Sequence, residues 1–372
     1  MDTVISRLGD GLWNAFLMAW EVWWALVLGF FISAVVQAWV PRERVQASLS
    51  GSGVGPMARA TALGAASSSC SYAAIAIAKS LFQKGASAAT ALAFQFASTN
   101  LVWELGLVLW VLIGWQFTLA EFAGGAVMIA LMGLLLRRFV SLRLERQARR
   151  HAQTAASGHH HHHHGSGRAW SDVAHNFRHD WQMLWKEITA GFLLAGFVAL
   201  LGDDFFNGLF LDDAPSGVQT IWSAFVGPLI AVLSFVCSVG NVPLAAVLWS
   251  GGISFAGVMA FIFADLIVLP IVVAYRKYYG TAFALRITAL MFVTMVAAAL
   301  IVDVVFGAVG LIPDSRPTAD DVFGSIELDY KAVLNAIAAV IFVVLIGLTV
   351  QRETPGALTR RVASALRGRP ET

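Results

Sequence analysis

The chain carries two cysteines, Cys70 and Cys237, and each is followed by a serine. The Cys70-Ser71 and Cys237-Ser238 pairs lie 167 residues apart. The same offset carries Ala78 to Ala245, Leu81 to Leu248, Gly85 to Gly252, Ser87 to Ser254 and Ala89 to Ala256. It also carries Ala93, Phe94, Phe96 and Ala97 to Ala260, Phe261, Phe263 and Ala264, which makes 11 identities over residues 70–97 without a gap. Thiols at equivalent points of a duplicated unit can converge on one ligand. If each stands just before a helix, the partial positive charge and unpaired N–H groups of that terminus favour thiolate. Thiolate is the form that binds soft metals and metalloids. The competing reading is that membrane cysteines are small packing residues. Ser69, Ser71, Ser238 and Asn241 would supply hydroxyl or amide contacts to a polar substrate, or else cap broken helices and tie packed ones together.

Ionisable groups inside apolar sequence form the second set. Glu21, Lys79, Glu104, Asp265 and Asp303 are costly in lipid and are candidates for a pathway. Ion pairing or snorkelling is the simpler expectation for Glu21, Lys79 and Asp303. Gln95, Ser98 or Thr99, Asn100 and Glu104 fall at helical spacing and should face the interior as one polar stripe. Asp265 is the repeat partner of Ser98. A buried carboxylate beside a pathway can take up a proton, so Glu104, Asp265, Asn100 and Gln95 are the coupling candidates. His175 and His179 are spaced for zinc near Asp172 and Asp180, but a solvated, charged approach to a helix is expected there. Residues 157–167 read SGHHHHHHGSG, an engineered affinity tag that holds six of the nine histidines. No metal site beyond a soft substrate at Cys70 and Cys237, and no cofactor, is expected.

The elements that position these residues follow from composition. The chain of 372 residues is 58% hydrophobic and only 13% charged, with mean hydropathy +0.71. A soluble chain would carry nearly twice that charge. Several apolar runs exceed the roughly 18 residues that cross a bilayer core. They lie near 11–39, 60–82, 86–115, 119–136, 181–201, 218–249, 253–275, 282–306 and 332–350. A polytopic all-α membrane protein is expected, with small-molecule or ion substrate and lipid as partners. The net charge of +2 gives no reason to expect nucleic acid. Homo-oligomerisation stays open. The first run is too long for a cleaved signal and reads as a span.

Basic residues in short connections mark the cytoplasmic side. By that rule residues 137–168, the tail with Arg352, Arg360, Arg361, Arg367 and Arg369, and the connections with Arg42, Arg44, Arg59, Arg276, Lys277 and Arg286 are inside. The acidic stretches with Asp203, Asp204, Asp212 and Asp213, and 314–329, are outside. Nine simple crossings cannot satisfy these sides. They are satisfied if the two Cys-Ser segments, 60–83 and 219–250, enter the membrane, turn at mid-depth and leave on the same side. Arms over 61–69 and 73–83 would each reach roughly 15 Å, half of the core. In the second copy Pro228 would start the inward arm and Asn241-Val242-Pro243 the outward one. The expected fold is then two inverted repeats, each of three spanning helices plus one re-entrant broken-helix hairpin, with one extra C-terminal span. The divisions are 1–138 and 181–307 for the repeats, 139–180 for a cytoplasmic loop with the tag, 308–330 for an external acidic loop, 331–350 for the extra span and 351–372 for the tail. The N-terminus would be outside and the C-terminus cytoplasmic.

Ser68-Ser69-Cys70-Ser71, Gly85, Ala91-Leu92-Ala93-Phe94 and Ala97-Ser98 resemble the predicted permeases that include the trivalent organoarsenical efflux permeases of ArsP type. Cys237-Ser238, Val242-Pro243-Leu244, Gly251-Gly252 and Ala260-Phe261 resemble that family's second repeat. The likeness covers about 11–350 and is specific around these two motifs. The family's first motif often reads Cys-Ser-Cys-Ser after a Pro-aromatic pair; here Ser68 replaces the first cysteine, and Tyr72-Ala73-Ala74 follows. The resemblance implies a secondary-active permease of a prokaryotic cytoplasmic membrane, exporting a soft metalloid or methylated arsenical held by Cys70 and Cys237. The alternatives are a permease for a small sulfur-containing or oxyanionic solute held at helix N-termini, and a channel gated by the same hairpins. No nucleophile–base pair points to an enzyme, and no phosphate-cradling motif points to an ATP-driven pump.

Overall fold

Runs that are apolar on every face must satisfy their backbone groups internally, and in lipid a helix does this within one segment. The computed structural model describes residues 2–39, 53–67, 71–154, 170–201, 203–210, 215–234, 238–316 and 332–349. Among them every regular element is helical. The first half consists of α1 (Asp2–Trp39), α2 (Val54–Ser67), α3 (Ser71–Gln83), α4 (Ala88–Asn100), α5 (Trp103–Leu112) and α6 (Trp115–Phe139). An arginine-rich helix, α7 (Leu142–Thr154), follows. The second half consists of α8 (Trp170–Val198), the short α9 (Asp203–Phe210), α10 (Ser216–Ser234), α11 (Ser238–Ser250), α12 (Phe255–Phe263) with a 3-10 turn Ala264–Ile267, α13 (Leu269–Tyr279) and α14 (Thr281–Ala308). A final helix, α15, is Ala332–Thr349.

By length and composition α6, α10, α14 and α15 can each cross a membrane. Two bent units, α4 with α5 and α12 with α13, raise the number to six if each is one span. The segment over 86–115, expected as one crossing, is therefore broken at Leu101-Val102 and bends by 41°. The same 41° bend follows the 3-10 turn in the second half.

The 167-residue offset reappears in the element boundaries. It takes the end of α2 to the end of α10, both limits of α3 to both limits of α11, and the start of α4 to the start of α12. Two expectations about the second copy change. Pro228 lies inside α10 rather than at its start, and α11 begins at Ser238 rather than at Asn241. A 19-residue α10 is about 28 Å long, more than a half-depth arm. A proline is tolerated there because packed neighbours can re-satisfy the one carbonyl it leaves free.

The tight turns between α3 and α4 and between α11 and α12 are built alike. Gly85 and Gly252 take φ of +107° and +101°, a region where a side chain is strained. Ser87 and Ser254 then cap the next helix, each hydroxyl accepting from the N–H three residues on, at 3.2 and 3.0 Å. One arginine locks each turn. Arg149 of α7 donates to the carbonyls of Phe82 and Ala86 (2.6 and 3.0 Å) and lies 4.4 Å over the Phe82 ring. Arg316 donates to the carbonyls of Trp249 and Ile253 (3.0 and 2.8 Å) and lies 4.3 Å over the Trp249 ring. All three members of one clamp map onto the other at the same offset of 167, which extends the register well beyond the motif.

These turns lie at opposite ends of α6. Phe117 in its first turn meets the rings of Trp249 and Phe255 at 5.2 and 4.9 Å. At its last residue the Phe139 carbonyl accepts from Arg286 of α14 (2.8 Å), and Phe283 of α14 stacks on Phe82 (5.9 Å). Between those contacts lies a helix of 25 residues, about 37 Å. The far end of α14 returns to the second turn through Phe306 against Phe255, at 5.8 Å. The α3 helix packs on α13 and α11 packs on α5, so each half places one arm against the other's broken span. The last helix docks outside this exchange. Asn335 of α15 accepts from the Trp24 N–H (3.0 Å) and donates to the Trp20 carbonyl (2.9 Å) of α1.

Candidate functional site

Cys70, Cys237 and Ser69 lie outside the described residues, as do the side chains of Glu21 and Asp180. The tag and the residues 317–329 and 351–372 lie outside as well. What is described is the pair of helix ends that flank each cysteine: α2 and α10 stop at Ser67 and Ser234, and α3 and α11 begin at Ser71 and Ser238. Ser67 and Ser234 occupy equivalent positions, and each bonds back to the carbonyl three residues earlier, at 2.9 Å. Such back-bonding satisfies one of the carbonyls in the last turn of a helix.

In the first half, Ser71 reaches across to the second. Its hydroxyl donates to Asp265 Oδ2 at 3.1 Å, over a sequence separation of 194. Asp265 is 1% exposed and stands in the 3-10 turn that precedes the bend of α12 and α13. The other carboxylate oxygen, Oδ1, is buried with no hydrogen-bond partner among the described residues. Gln95 of α4 bonds in the same cross-half manner to the Tyr275 hydroxyl of α13. Tyr275 lies within electrostatic reach of Asp265. Two of the four coupling candidates, Gln95 and Asp265, therefore belong to one buried cluster with Ser71.

The expected polar stripe is divided by the break. Ser98 and Thr99 bond the Gln95 carbonyl (3.0 and 3.2 Å), and Asn100 Nδ2 bonds the Phe96 carbonyl (3.2 Å). These three side chains bond back to carbonyls of their own helix, three or four residues earlier. Glu104 lies past the bend on α5, where a Cβ added to Gly29 of α1 would stand 2.6 Å from its own Cβ. It faces α1 and is not on one stripe with Gln95, because the break rotates α5 away from the face of α4.

Around the second break, Asn241 Oδ1 accepts from the Ser234 hydroxyl at 3.2 Å, tying α10 to α11 across residues 235–237. Asn241 is 0% exposed, and its Nδ2 is a buried donor with no partner among the described residues. Ser238 is buried beside it. The neighbouring Gly240 allows a close crossing: a Cβ on Gly191 of α8 would come within 2.1 Å of the Gly240 carbonyl.

The remaining charged candidates have structural partners. Asp303 accepts from the Ala256 N–H at 3.2 Å, at the start of α12. Glu145 does the same for α4 through the Ala88 N–H at 3.1 Å. A carboxylate at a helix N-terminus offsets the partial positive charge there. Lys79 lies 4.4 Å over the Tyr278 ring, a cation–π contact rather than an ion pair. His175 and His179 are exposed, as a solvated face requires. Among the described residues no group of three or more His, Cys, Asp or Glu is arranged to hold a metal ion.

One acid escapes the sequence reading altogether. Glu121 of α6 is 0% exposed, both of its carboxylate oxygens are buried without a hydrogen-bond partner among the described residues, and its charge interacts with that of Asp265. Its face of α6 is defined by two glycines. A Cβ on Gly124 would meet the Phe263 ring at 2.2 Å, and one on Gly125 would meet Leu101 at 2.7 Å and Asn100 at 3.6 Å. Glu121 thus lies between both helix breaks. The signal was available in the sequence, as an acid inside the apolar run over 119–136.

The predicted-permease family model ArsP_1 matches residues 14–304. The chain is 43% identical over 308 residues to "Putative permease Rv2963" of Mycobacterium tuberculosis, covering 77% of this chain and 74% of that protein. No solved structure matches the chain. With broken helices meeting at buried polar groups inside an apolar all-helical bundle, the chain belongs to the ArsP_1 family of predicted permeases and is a multi-pass membrane protein.

Proposed function

We propose that this protein is a secondary-active permease that exports a soft metalloid or methylated arsenical, bound between the two Cys-Ser breaks by Cys70 and Cys237. The two halves are inverted relative to one another in the membrane of a prokaryotic cell, with the C-terminus cytoplasmic. Rocking of one half against the other exposes the site to either side in turn. The observation that carries this reading is the location of the turns: equivalent in sequence, clamped by equivalent arginines, and placed at opposite ends of α6. That disposition is what an inverted duplication requires. Polar residues of the described helices flank each cysteine: α2 and α10 end at Ser67 and Ser234, and Ser71, Ser238 and Asn241 line the starts of α3 and α11. Ser69 joins the site as the sequence neighbour of Cys70.

The test is uptake of a monomethylated trivalent arsenical by inside-out vesicles containing the full chain. Wild-type protein should accumulate it against its gradient, and a protonophore should abolish accumulation, which a channel would not show. Cys70→Ser and Cys237→Ser should each reduce uptake roughly tenfold or more, since a soft ligand prefers two sulfurs to one. Full activity in both variants would remove the thiols from the site.

A further inference from the structure

Resting on the permease reading, we propose that Glu121 and Asp265 form a single proton-binding site that couples the two halves. One acid comes from each half, and both are sealed from solvent. Three of their four carboxylate oxygens are buried without a hydrogen-bond partner among the described residues, and the fourth accepts from Ser71. Two full negative charges here repel each other, and the Ser71 hydroxyl is the one side-chain donor they meet among the described residues. One proton held by the pair removes the repulsion and supplies a donor.

The repeat counterparts make the pair specific. At the 167-residue offset Asp265 corresponds to Ser98 and Glu121 to Thr288. Both acids therefore replace hydroxyls of the duplicated scaffold, once in each half, and α6 sets Gly124, three residues after Glu121, against the Phe263 ring, two residues before Asp265. The scaffold is symmetric while its acidity is not, so each molecule carries one such site.

The neighbouring elements supply no competing charge. The groups facing Asp265 are Ser71 of α3, Tyr275 of α13 and Glu121 of α6. Elsewhere on those elements, Lys79 of α3 lies over Tyr278, and Arg276 and Lys277 of α13 are exposed. The 3-10 turn also packs on α10, α11, α12 and α14. Of these, α10, α11 and α12 carry no charged residue. On α14, Arg286 is spent on the Phe139 carbonyl and Asp303 on the Ala256 N–H, at the helix's two ends. The acid on α5, Glu104, faces α1. The side chains assembled here are two carboxylates and a hydroxyl, which a metal ion would have to supplement with water or backbone oxygens. They suit a proton taken from one side of the membrane and released to the other, the pair passing between charges of minus two and minus one.

Infrared difference spectroscopy on the lipid-reconstituted full chain tests the pair without any substrate. Wild-type protein should show a protonated-carboxyl band that is lost as pH is raised. Glu121→Gln and Asp265→Asn should each abolish its titration, and Glu121→Asp should retain it. Asp265→Asn keeps an oxygen for Ser71, so it decides the question if Glu121→Gln fails to fold. A titrating band that is unchanged in the amide variants overturns the proposal. So does the absence of any such band in wild type, or a band displaced by sodium at fixed pH. In vesicles, an imposed pH gradient should stimulate arsenical uptake by wild type roughly tenfold more than by Asp265→Asn. No uptake by wild type would count against the substrate assignment alone, because the band still decides the proton site.

Discussion

Gln95 and Tyr275 show how much one buried polar contact constrains this bundle. Their side chains come from residues 180 apart and bond in a core that excludes water. Removing one partner leaves the other with an unmet group. Tyr275→Phe should therefore cost about 1–3 kcal/mol and lower the melting temperature in detergent. The double variant Gln95→Leu with Tyr275→Phe should recover part of that loss, since no orphaned polar group then remains. A double variant less stable than the sum of its parts would contradict this account. The same reasoning separates Ser71 from Ser98. Ser71 serves a carboxylate in the other half, and Ser98 serves its own helix end.

At the scale of elements, the turn clamps carry the most specific expectation. Each guanidinium makes two hydrogen bonds to carbonyls that flank a left-handed glycine, and it covers an aromatic ring. Arg149 spans its two carbonyls with both terminal nitrogens of its planar fork, whereas Arg316 reaches both of its carbonyls from Nη1 alone. Arg149→Ala and Arg316→Ala should each raise amide hydrogen exchange of their own turn, residues 82–88 or 249–255, by roughly tenfold or more. The opposite turn should not change, and lysine at position 149 should fail to restore protection. Equal exchange at both turns in either variant would mean that the clamps do not act locally. The carboxylates that start α4 and α12 show a different logic. Glu145 and Asp303 do the same work, yet they are not at equivalent positions. The N-terminus of a helix asks for negative charge and accepts it from any neighbour that can reach.

For the whole molecule, the decisive quantity is the disposition of the two turns. Contacts along α6 and α14 separate them by the length of a spanning helix. In a protein lacking Cys70 and Cys237, a cysteine placed at exposed Lys84 should react with a membrane-impermeant thiol reagent from the side carrying α7. One placed at exposed Ser315 should react only from the other side. Labelling of both from one side would rule out the inverted arrangement. The extra helix α15 is bound to α1 by the two hydrogen bonds of Asn335 and the ring contact of Phe342 with Trp23, and to α8 by ring contacts of Phe342 with Phe177 and Trp181. It adds a support to α1 and α8 outside the exchange between the halves.

Much of this was legible in the residues alone. Apolar runs determine membrane helices because lipid offers a backbone no other partner. Duplication is legible because it copies residue identities at one offset, and that offset paired Gly85 with Gly252 and Ser87 with Ser254, whose roles as turn and cap the structure supplied. The bend at Leu101-Val102 was not legible, since the apolar run continues through it and hydropathy is blind to direction. The length of α10 was misread because proline in a packed membrane helix need not begin it. Only the tertiary structure joined Glu121 and Asp265, and Ser71 to that acid. Their separations in the chain carry no periodicity, and it is the packing of α3 on α13 and of α6 on α12 that brings these elements together.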